Sequence, residues 1–223
     1  MTEAPAAAVP ALEALVDLLM EGDAPVSPRS AERARQVHVA DSLSGLGFDQ
    51  LRHAGRIADL GSGAGLPGLV LAAALPEARV DLVESVSRKC AFLRRAIERL
   101  GLANAEVVCV RAETWAAGDG REAYEAVTAR AVGRLSTVAE LASPLLRDGG
   151  HLLAWKGRRD PDEEAKLARA SARLAIEPVE GRAVARYPGR RDVHIELVRK
   201  NGPTPDDLPR RLGMAAKRPF GSE

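Results

Sequence analysis

The sequence predicts an α/β fold, a Rossmann-like, mostly parallel sheet with helices packed against it, and three observations lead there. An apolar run at Arg56-Ile57-Ala58-Asp59-Leu60 breaks into a glycine-rich turn, Gly61-Ser62-Gly63-Ala64-Gly65-Leu66-Pro67-Gly68, in which Pro67 suits the first turn of a following helix. A second apolar run, Val80-Asp81-Leu82-Val83, ends in Glu84, about twenty positions beyond the turn. From there strand-length and helix-period stretches alternate to about residue 174, the rhythm of parallel β-α-β units.

The turn and Glu84 together predict a ribose-containing ligand. Glycine lets the backbone approach a ligand closely, and a carboxylate at the end of the second strand can accept from both hydroxyls of a ribose. Gly63-Ala64-Gly65-Leu66-Pro67-Gly68 spells the G-x-G-x-x-G of dinucleotide sites. Asp59, two residues before Gly61, argues against a pyrophosphate, because like charges would face each other. S-adenosylmethionine carries no phosphate and has a cationic sulfonium and amino group, so it suits an acidic neighbour. Asp59 is thus assigned to the methionine end, Gly61 and Gly63 to the turn, and Glu84 to the ribose.

In chain order, residues 1–8 are rich in Ala and Pro and are expected to be disordered. Leu12, Leu15, Val16 and Leu19 recur at helical spacing, and a second helix is expected over about 30–46 with Val37, Ala40 and Leu43 inward. Residues 9–48 are read as a helical region packed on the main domain, 49–200 as that domain and 201–223 as a basic tail. After the second strand, Val86, Cys90, Leu93, Ile97 and Leu100 form one stripe of a helix ending at Gly101. The opposite face carries Arg88, Arg95 and Arg99. Further strands are expected at 106–110, 124–129 and 151–155, with helices at 135–146 and 163–174. A closing hairpin pairs 176–182 with 193–198 across Tyr187-Pro188-Gly189. Right-handed crossovers then place Asp59, Glu84, Arg111, Ala112, Glu113 and Arg130 on one rim, the carboxyl ends of the strands.

Composition bounds the setting. The 223 residues, 46% hydrophobic, support one core. Apolar runs are too short for a membrane span and no secretory leader is evident, so a cytoplasmic protein is expected. Cys90 and Cys109 fall at apolar positions of a helix and a strand and are read as buried thiols. The four histidines share no metal-ligand spacing, so no metal is expected. All 32 Lys and Arg residues lie after residue 28, whereas Glu3, Glu13, Asp17, Glu21 and Asp23 precede it. The remainder therefore has a basic excess, modest support for an anionic partner. Arg88, Arg95 and Arg99, with Lys156 and Arg158 beyond the fifth strand, are the candidate phosphate contacts.

The stretches Asp59-Leu60-Gly61-Ser62-Gly63-Ala64-Gly65-Leu66-Pro67-Gly68, Leu82-Val83-Glu84-Ser85, Arg88-Lys89, Phe92-Leu93-Arg94, Arg111-Ala112-Glu113, Ala129-Arg130-Ala131 and Lys156-Gly157 resemble the ribosomal RNA small-subunit methyltransferase G family, formerly glucose-inhibited division protein B. The resemblance covers most of residues 36–200, and the tail from Pro209 to Pro219 also looks like the end of many members. It implies a class I methyltransferase fold with a seven-stranded sheet. It also implies methyl transfer from S-adenosylmethionine to N7 of a guanine near the decoding site of 16S rRNA, in the small subunit or its precursor. Family cofactor residues fall on Gly61, Leu66, Ala112, Glu113 and Arg130, and Arg130 is further read as positioning the reactants. The N-terminus departs from the pattern: the usual Asn-Leu-Thr segment is missing and Val37 stands before His38, although Asp41-Ser42-Leu43 match. Other readings are methylation of a protein or small molecule, a nicotinamide-dependent oxidoreductase, and a non-catalytic RNA-binding assembly protein.

Overall fold

The computed structural model describes residues 4–27, 34–184 and 193–221. Its elements, in order, are α1 (Val9–Met20), α2 (Ala40–Leu43), α3 (Asp49–Arg52), β1 (Arg56–Leu60), α4 (Gly68–Ala74), β2 (Arg79–Val83), α5 (Ser87–Leu100) and β3 (Ala105–Val108). There follow α6 (Ala112–Ala116), β4 (Tyr124–Arg130), α7 (Leu135–Ala142), β5 (Leu146–Lys156), α8 (Pro161–Leu174), β6 (Ile176–Ala183), β7 (His194–Lys200) and α9 (Met214–Lys217).

One seven-stranded sheet runs in the order β3-β2-β1-β4-β5-β7-β6. The first five strands are parallel, and β7 pairs antiparallel with both β5 and β6. The chain leaves β1 towards β2 on one side and returns to β4 on the other, which makes the carboxyl ends of β1 and β4 the switch point where such sheets bind ligands. Apolar side chains fill both faces. One core gathers Leu12, Leu15 and Leu19 of α1 with Leu46, Phe48, Leu69, Val80, Phe92 and Leu93. The other joins Val127, Leu135, Val138, Leu146, Leu167 and Leu174.

Local chemistry explains the boundaries. Asp160 caps α8 by accepting from the amides of Asp162 and Glu163 at 3.0 and 3.3 Å, with Pro161 at the first helical position, so α8 starts two residues before the apolar spacing suggested. α5 ends where Gly101 takes φ +65°. The expected helix over 135–146 stops at Ala142 because Pro144 cannot continue it, and Leu146 already belongs to β5.

Three expectations need correction. Ala6–Ala8 form a 3-10 turn and Ala8 is buried, so residues 4–8 are ordered against the core. The expected second helix begins outside the described residues; the part described is a π turn over Ala34–Val39 running into α2 and a 3-10 turn over Ser44–Gly47. Cys90 and Cys109 are joined in a disulfide, with Cα atoms 5.9 Å apart. The register Val83↔Val108 aligns the ends of β2 and β3, so a residue in the first turn of α5 meets one just past β3. The hairpin turn 187–189 lies outside the described residues. Among the described residues no helix is long and apolar enough to cross a membrane.

Candidate cofactor and acceptor site

The carboxyl ends of β1, β2, β3 and β4 surround a cavity of about 370 Å³, within the size range of small-molecule sites. Leu60 and Gly61 line it from β1, Val83 to Val86 with Lys89 from β2 and α5, and Val110 to Glu113 from the segment after β3. Ala131, Val132, Thr137 and Leu141 close the side towards α7, and Gly213, Ala215 and Ala216 complete the wall.

The turn after β1 owes its shape to three glycines with positive φ, Gly61, Gly63 and Gly65. Gly61 and Gly63 have φ of +64° and +58°, left-handed conformations that cost other L-residues about 1–2 kcal/mol. A Cβ on Gly61 would also stand 3.0 Å from Val132 Cγ2, in a wall of the cavity. Glu84 closes the turn from the other side. Its Oε1 accepts from the amides of Ser85 and Val86 at 2.8 and 2.9 Å, and its Oε2 accepts from the Gly63 amide at 3.0 Å. A carboxylate offers about four lone-pair sites, so one remains for a ligand hydroxyl. Lys89 Nζ lies 3.9 Å away. The second hydroxyl of a ribose would share or displace the Gly63 amide bond, a competition the sequence did not reveal.

Asp59 is placed differently from the expectation. It is buried beneath the turn and does not line the cavity. Its Oδ1 accepts from Thr128 Oγ1 at 2.8 Å and its Oδ2 from the Gly68 amide at 3.2 Å, so its carboxylate braces the start of α4. Burial raises its pKa from 3.8 to about 6. A carboxyl with a raised folded pKa binds its proton more tightly in the folded chain, so its penalty on folding is absent below about pH 4 and complete above about pH 6. Asp59→Asn removes this titration. Relative to that variant, the wild type is expected to lose roughly 1–1.5 kcal/mol of stability between pH 5 and 7.5. A wild-type-minus-variant difference that stays flat in denaturant titrations over that interval would contradict the placement.

Of the other expected cofactor residues, Ala112 and Glu113 line the cavity, whereas Gly63, Leu66 and Arg130 do not. Arg130 instead turns towards the helical region: Nη1 lies 3.3 Å from Asp41 Oδ2 and from the His38 carbonyl, and Nη2 meets His38 Nδ1. The ion-pair partner is Asp41, which is fully buried. Arg130 therefore joins the end of β4 to residues 38–42 while its neighbours Ala131 and Val132 face the cavity. A second cavity, about 140 Å³, shares Ala131 and Val132 and lies between the ends of β4 and β5, lined by Ala129, Gly133, Ala154 and Trp155 among others. The Trp155 indole above it is fixed by donating to the Asp41 carbonyl at 2.8 Å.

The phosphate-contact set is only partly retained. Arg95 pairs with Asp23 at 2.6 Å and Arg99 with Glu21 at 2.9 Å, because the acidic residues just beyond α1 reach that face of α5, so these two guanidiniums, though about half exposed, already carry carboxylate partners. Lys156 pairs with Glu163 at 2.7 Å and donates to the Gly133 carbonyl at 3.0 Å, holding the loop after β4. Arg88 and Arg158 stay exposed, and Arg111, exposed at the cavity mouth, joins them. Among the described residues Glu164, His194 and Glu196 bring ligand atoms within 4.8 Å of one another. These groups have partners already: Arg159 forks onto Glu164 at 2.7 and 2.8 Å, and His194 lies between the Gly157 carbonyl and Glu196 at 2.6 and 2.8 Å.

The pattern of the GidB family, rRNA small subunit methyltransferase G, matches residues 11–193. The chain belongs to this family. Proteins of that name from Rubrobacter xylanophilus and Thermotoga neapolitana are 43% and 39% identical over 87% and 86% of this chain, and over 76% and 82% of their own length. Among solved structures, fibrillarin of Aeropyrum pernix with natively bound S-adenosyl-L-methionine gives a TM-score of 0.55 at 19% identity, covering 71% of this chain and 72% of that one. A methyltransferase dependent on S-adenosylmethionine from Aquifex aeolicus gives 0.56 at 13% identity, covering 83% and 96%. These likenesses show the class I methyltransferase fold. For a GidB member, the His38, Asp41 and Ser42 of the family's N-terminal pattern acquire a physical meaning here, since all three contact the Arg130 guanidinium, Ser42 Oγ at 3.5 Å.

Proposed function

We propose that this GidB-family protein uses S-adenosylmethionine to methylate N7 of a guanine in 16S rRNA, within the small subunit or its precursor. The observation that carries the reaction is the family match over residues 11–193, and the cavity at the β1–β4 switch point, lined by Gly61 and the buried Glu84 carboxylate, supports the cofactor. The residues fit the cofactor: a positive-φ glycine where a Cβ would crowd the wall, an acceptor at the ribose position and no pyrophosphate-binding cation at the turn. When bound, S-adenosylmethionine supplies an electrophilic methyl group on a cationic sulfur.

The chain's own residues have a modest task in this chemistry. Guanine N7 has an in-plane lone pair and no proton, so no general base is needed. What remains is to hold donor and acceptor in line at near-attack distance. Ala131 and Val132 separate the larger cavity from the smaller one between β4 and β5, which suits a flipped-out base presented edge-on to the donor. Arg130, Trp155 and Lys156 act as positioning residues: the first two tie residues 38–42 to the strand ends, and Lys156 fixes Gly133. This use of Arg130 replaces direct contact with the cofactor.

The RNA backbone is assigned to the exposed cations at the carboxyl rim, Arg88, Arg111 and Arg158. Each true phosphate contact contributes about 0.7–0.9 to the salt dependence of binding. Arg111→Ala should therefore lower the slope of log affinity against log salt by nearly one unit, whereas Arg95→Ala and Arg99→Ala should leave it unchanged. The reverse pattern would return RNA docking to the α5 face. The function itself is tested by incubating methyl-labelled S-adenosylmethionine with the protein and small subunits from a strain lacking the activity. Label in 16S rRNA is expected; label only in protein favours methylation of a protein, and binding of nicotinamide dinucleotide in preference to S-adenosylmethionine favours an oxidoreductase.

A further inference from the structure

Residues 201–223 were expected to be a basic tail, yet the described part is bound along the molecule by specific contacts. Arg210 forks onto Glu140 of α7 at 2.6 and 2.6 Å, and Glu140 is almost fully buried. Phe220 is buried between the guanidinium groups of Arg173 and Arg210, 4.2 and 3.8 Å from its ring centre. The stretch between these anchors is aimed at the cavity by two further bonds. Thr137 Oγ1 donates to the Ala215 carbonyl at 3.0 Å, and the Gly213 amide donates to Glu113 Oε1 at 2.8 Å, across 100 residues of sequence. Gly213, at φ +75°, makes the bend that sends α9 past the cavity mouth.

We infer that this segment is part of the cofactor site, with Gly213, Ala215 and Ala216 forming the wall against which the adenine half of the ligand packs. The inference rests on the reading of the cavity as the S-adenosylmethionine site. The sheet order decides which half is involved. With the ribose at Glu84 on β2 and the methyl group directed to the acceptor side at β4, the purine falls towards β3, where Ala112 and Glu113 stand. Three small residues keep that wall thin enough for a flat ring. The Gly213 amide occupies one oxygen of Glu113 and so fixes its carboxylate, leaving the other oxygen to accept from an exocyclic amine such as that of adenine. The Trp115 indole, donating to Tyr124 Oη at 2.7 Å, holds α6 and hence Glu113 from behind. A wall contributed by residues remote in sequence also explains why a motif centred on β1 and β2 accounts for only part of the lining.

Ala216 provides the test, because it is exposed yet lines the cavity, so a larger side chain there adds bulk to the site without disturbing the core. Ala216→Phe and Thr137→Val are compared with wild type by calorimetry, using S-adenosylhomocysteine and 5′-methylthioadenosine as probes, with melting temperature as the control for folding. Ala216→Phe is expected to weaken both probes at least tenfold with an unchanged melting temperature, and Thr137→Val to weaken both by a smaller factor. Wild-type affinity of Ala216→Phe for both probes overturns the inference, as does a loss for S-adenosylhomocysteine with none for 5′-methylthioadenosine, which would put the wall at the methionine end. Absence of binding by the wild type would instead overturn the underlying reading of the cavity.

Discussion

Glu84→Ala is expected to weaken S-adenosylmethionine and S-adenosylhomocysteine alike by about 10²-fold or more, since a charge-assisted hydrogen bond contributes roughly 1.5–3 kcal/mol and the turn loses its brace as well. The carboxylate does two things at once. It accepts from Ser85, Val86 and Gly63, fixing the segments on either side of the cavity, and under the proposed function its remaining lone pair would take a ribose hydroxyl. Glu84→Gln should not rescue binding, because an amide NH2 would point a donor at backbone donors. A 2′-deoxyribose analogue separates the two contributions: it should lose affinity against wild type but little more against Glu84→Ala. Equal losses in both proteins would mean that Glu84 shapes the turn without reading the sugar.

Arg130→Ala is expected to act on stability and turnover together. Removing the guanidinium takes a partner from the buried Asp41 carboxylate, and breaking such a pair costs roughly 3 kcal/mol. The same change releases residues 38–42 from the end of β4, next to Ala131 and Val132, and misplacement of reacting atoms by about an ångström lowers transfer roughly 10²-fold. Arg130→Lys keeps the charge but not the fork, so it should regain part of the stability and little of the rate. Cofactor affinity should change little in either variant, because Arg130 does not line the cavity at the β1–β4 switch point. A melting temperature equal to that of wild type would contradict the ion-pair account, and a large loss of cofactor affinity would restore the residue to the cofactor site.

The parts of this architecture that were legible are those written locally. The glycine turn, the strand leading to Glu84 and the glycine after α5 each announce their conformation within a few residues, so the order of the central elements and the rim at the carboxyl ends of the strands followed from them, whereas the Asp160-Pro161 cap that starts α8 two residues early was missed. What was not legible depends on where distant segments fold back. The sequence shows three arginines on one face of α5 but not that Glu21 and Asp23 lie across two of them. Asp59 looks like a ligand-facing carboxylate until β4 places Thr128 beside it, and two cysteines nineteen residues apart look unrelated until the ends of β2 and β3 align. The wall formed by Gly213, Ala215 and Ala216 carries no local signal, since small residues in a basic stretch resemble an unstructured tail. Arg130 illustrates the limit best: its position at a strand end was readable, its direction was not.

The central claim, methyl transfer from S-adenosylmethionine to guanine N7 of 16S rRNA, is tested most directly by nucleoside-resolved mass mapping of 16S rRNA from a strain that lacks the gene and from the same strain carrying the wild-type gene or its Glu84→Ala form. One 7-methylguanosine, near the decoding site, should be absent without the gene, restored by the wild type and not restored by Glu84→Ala. A methyl group on another base or another atom, or identical maps from all three strains, would contradict the account.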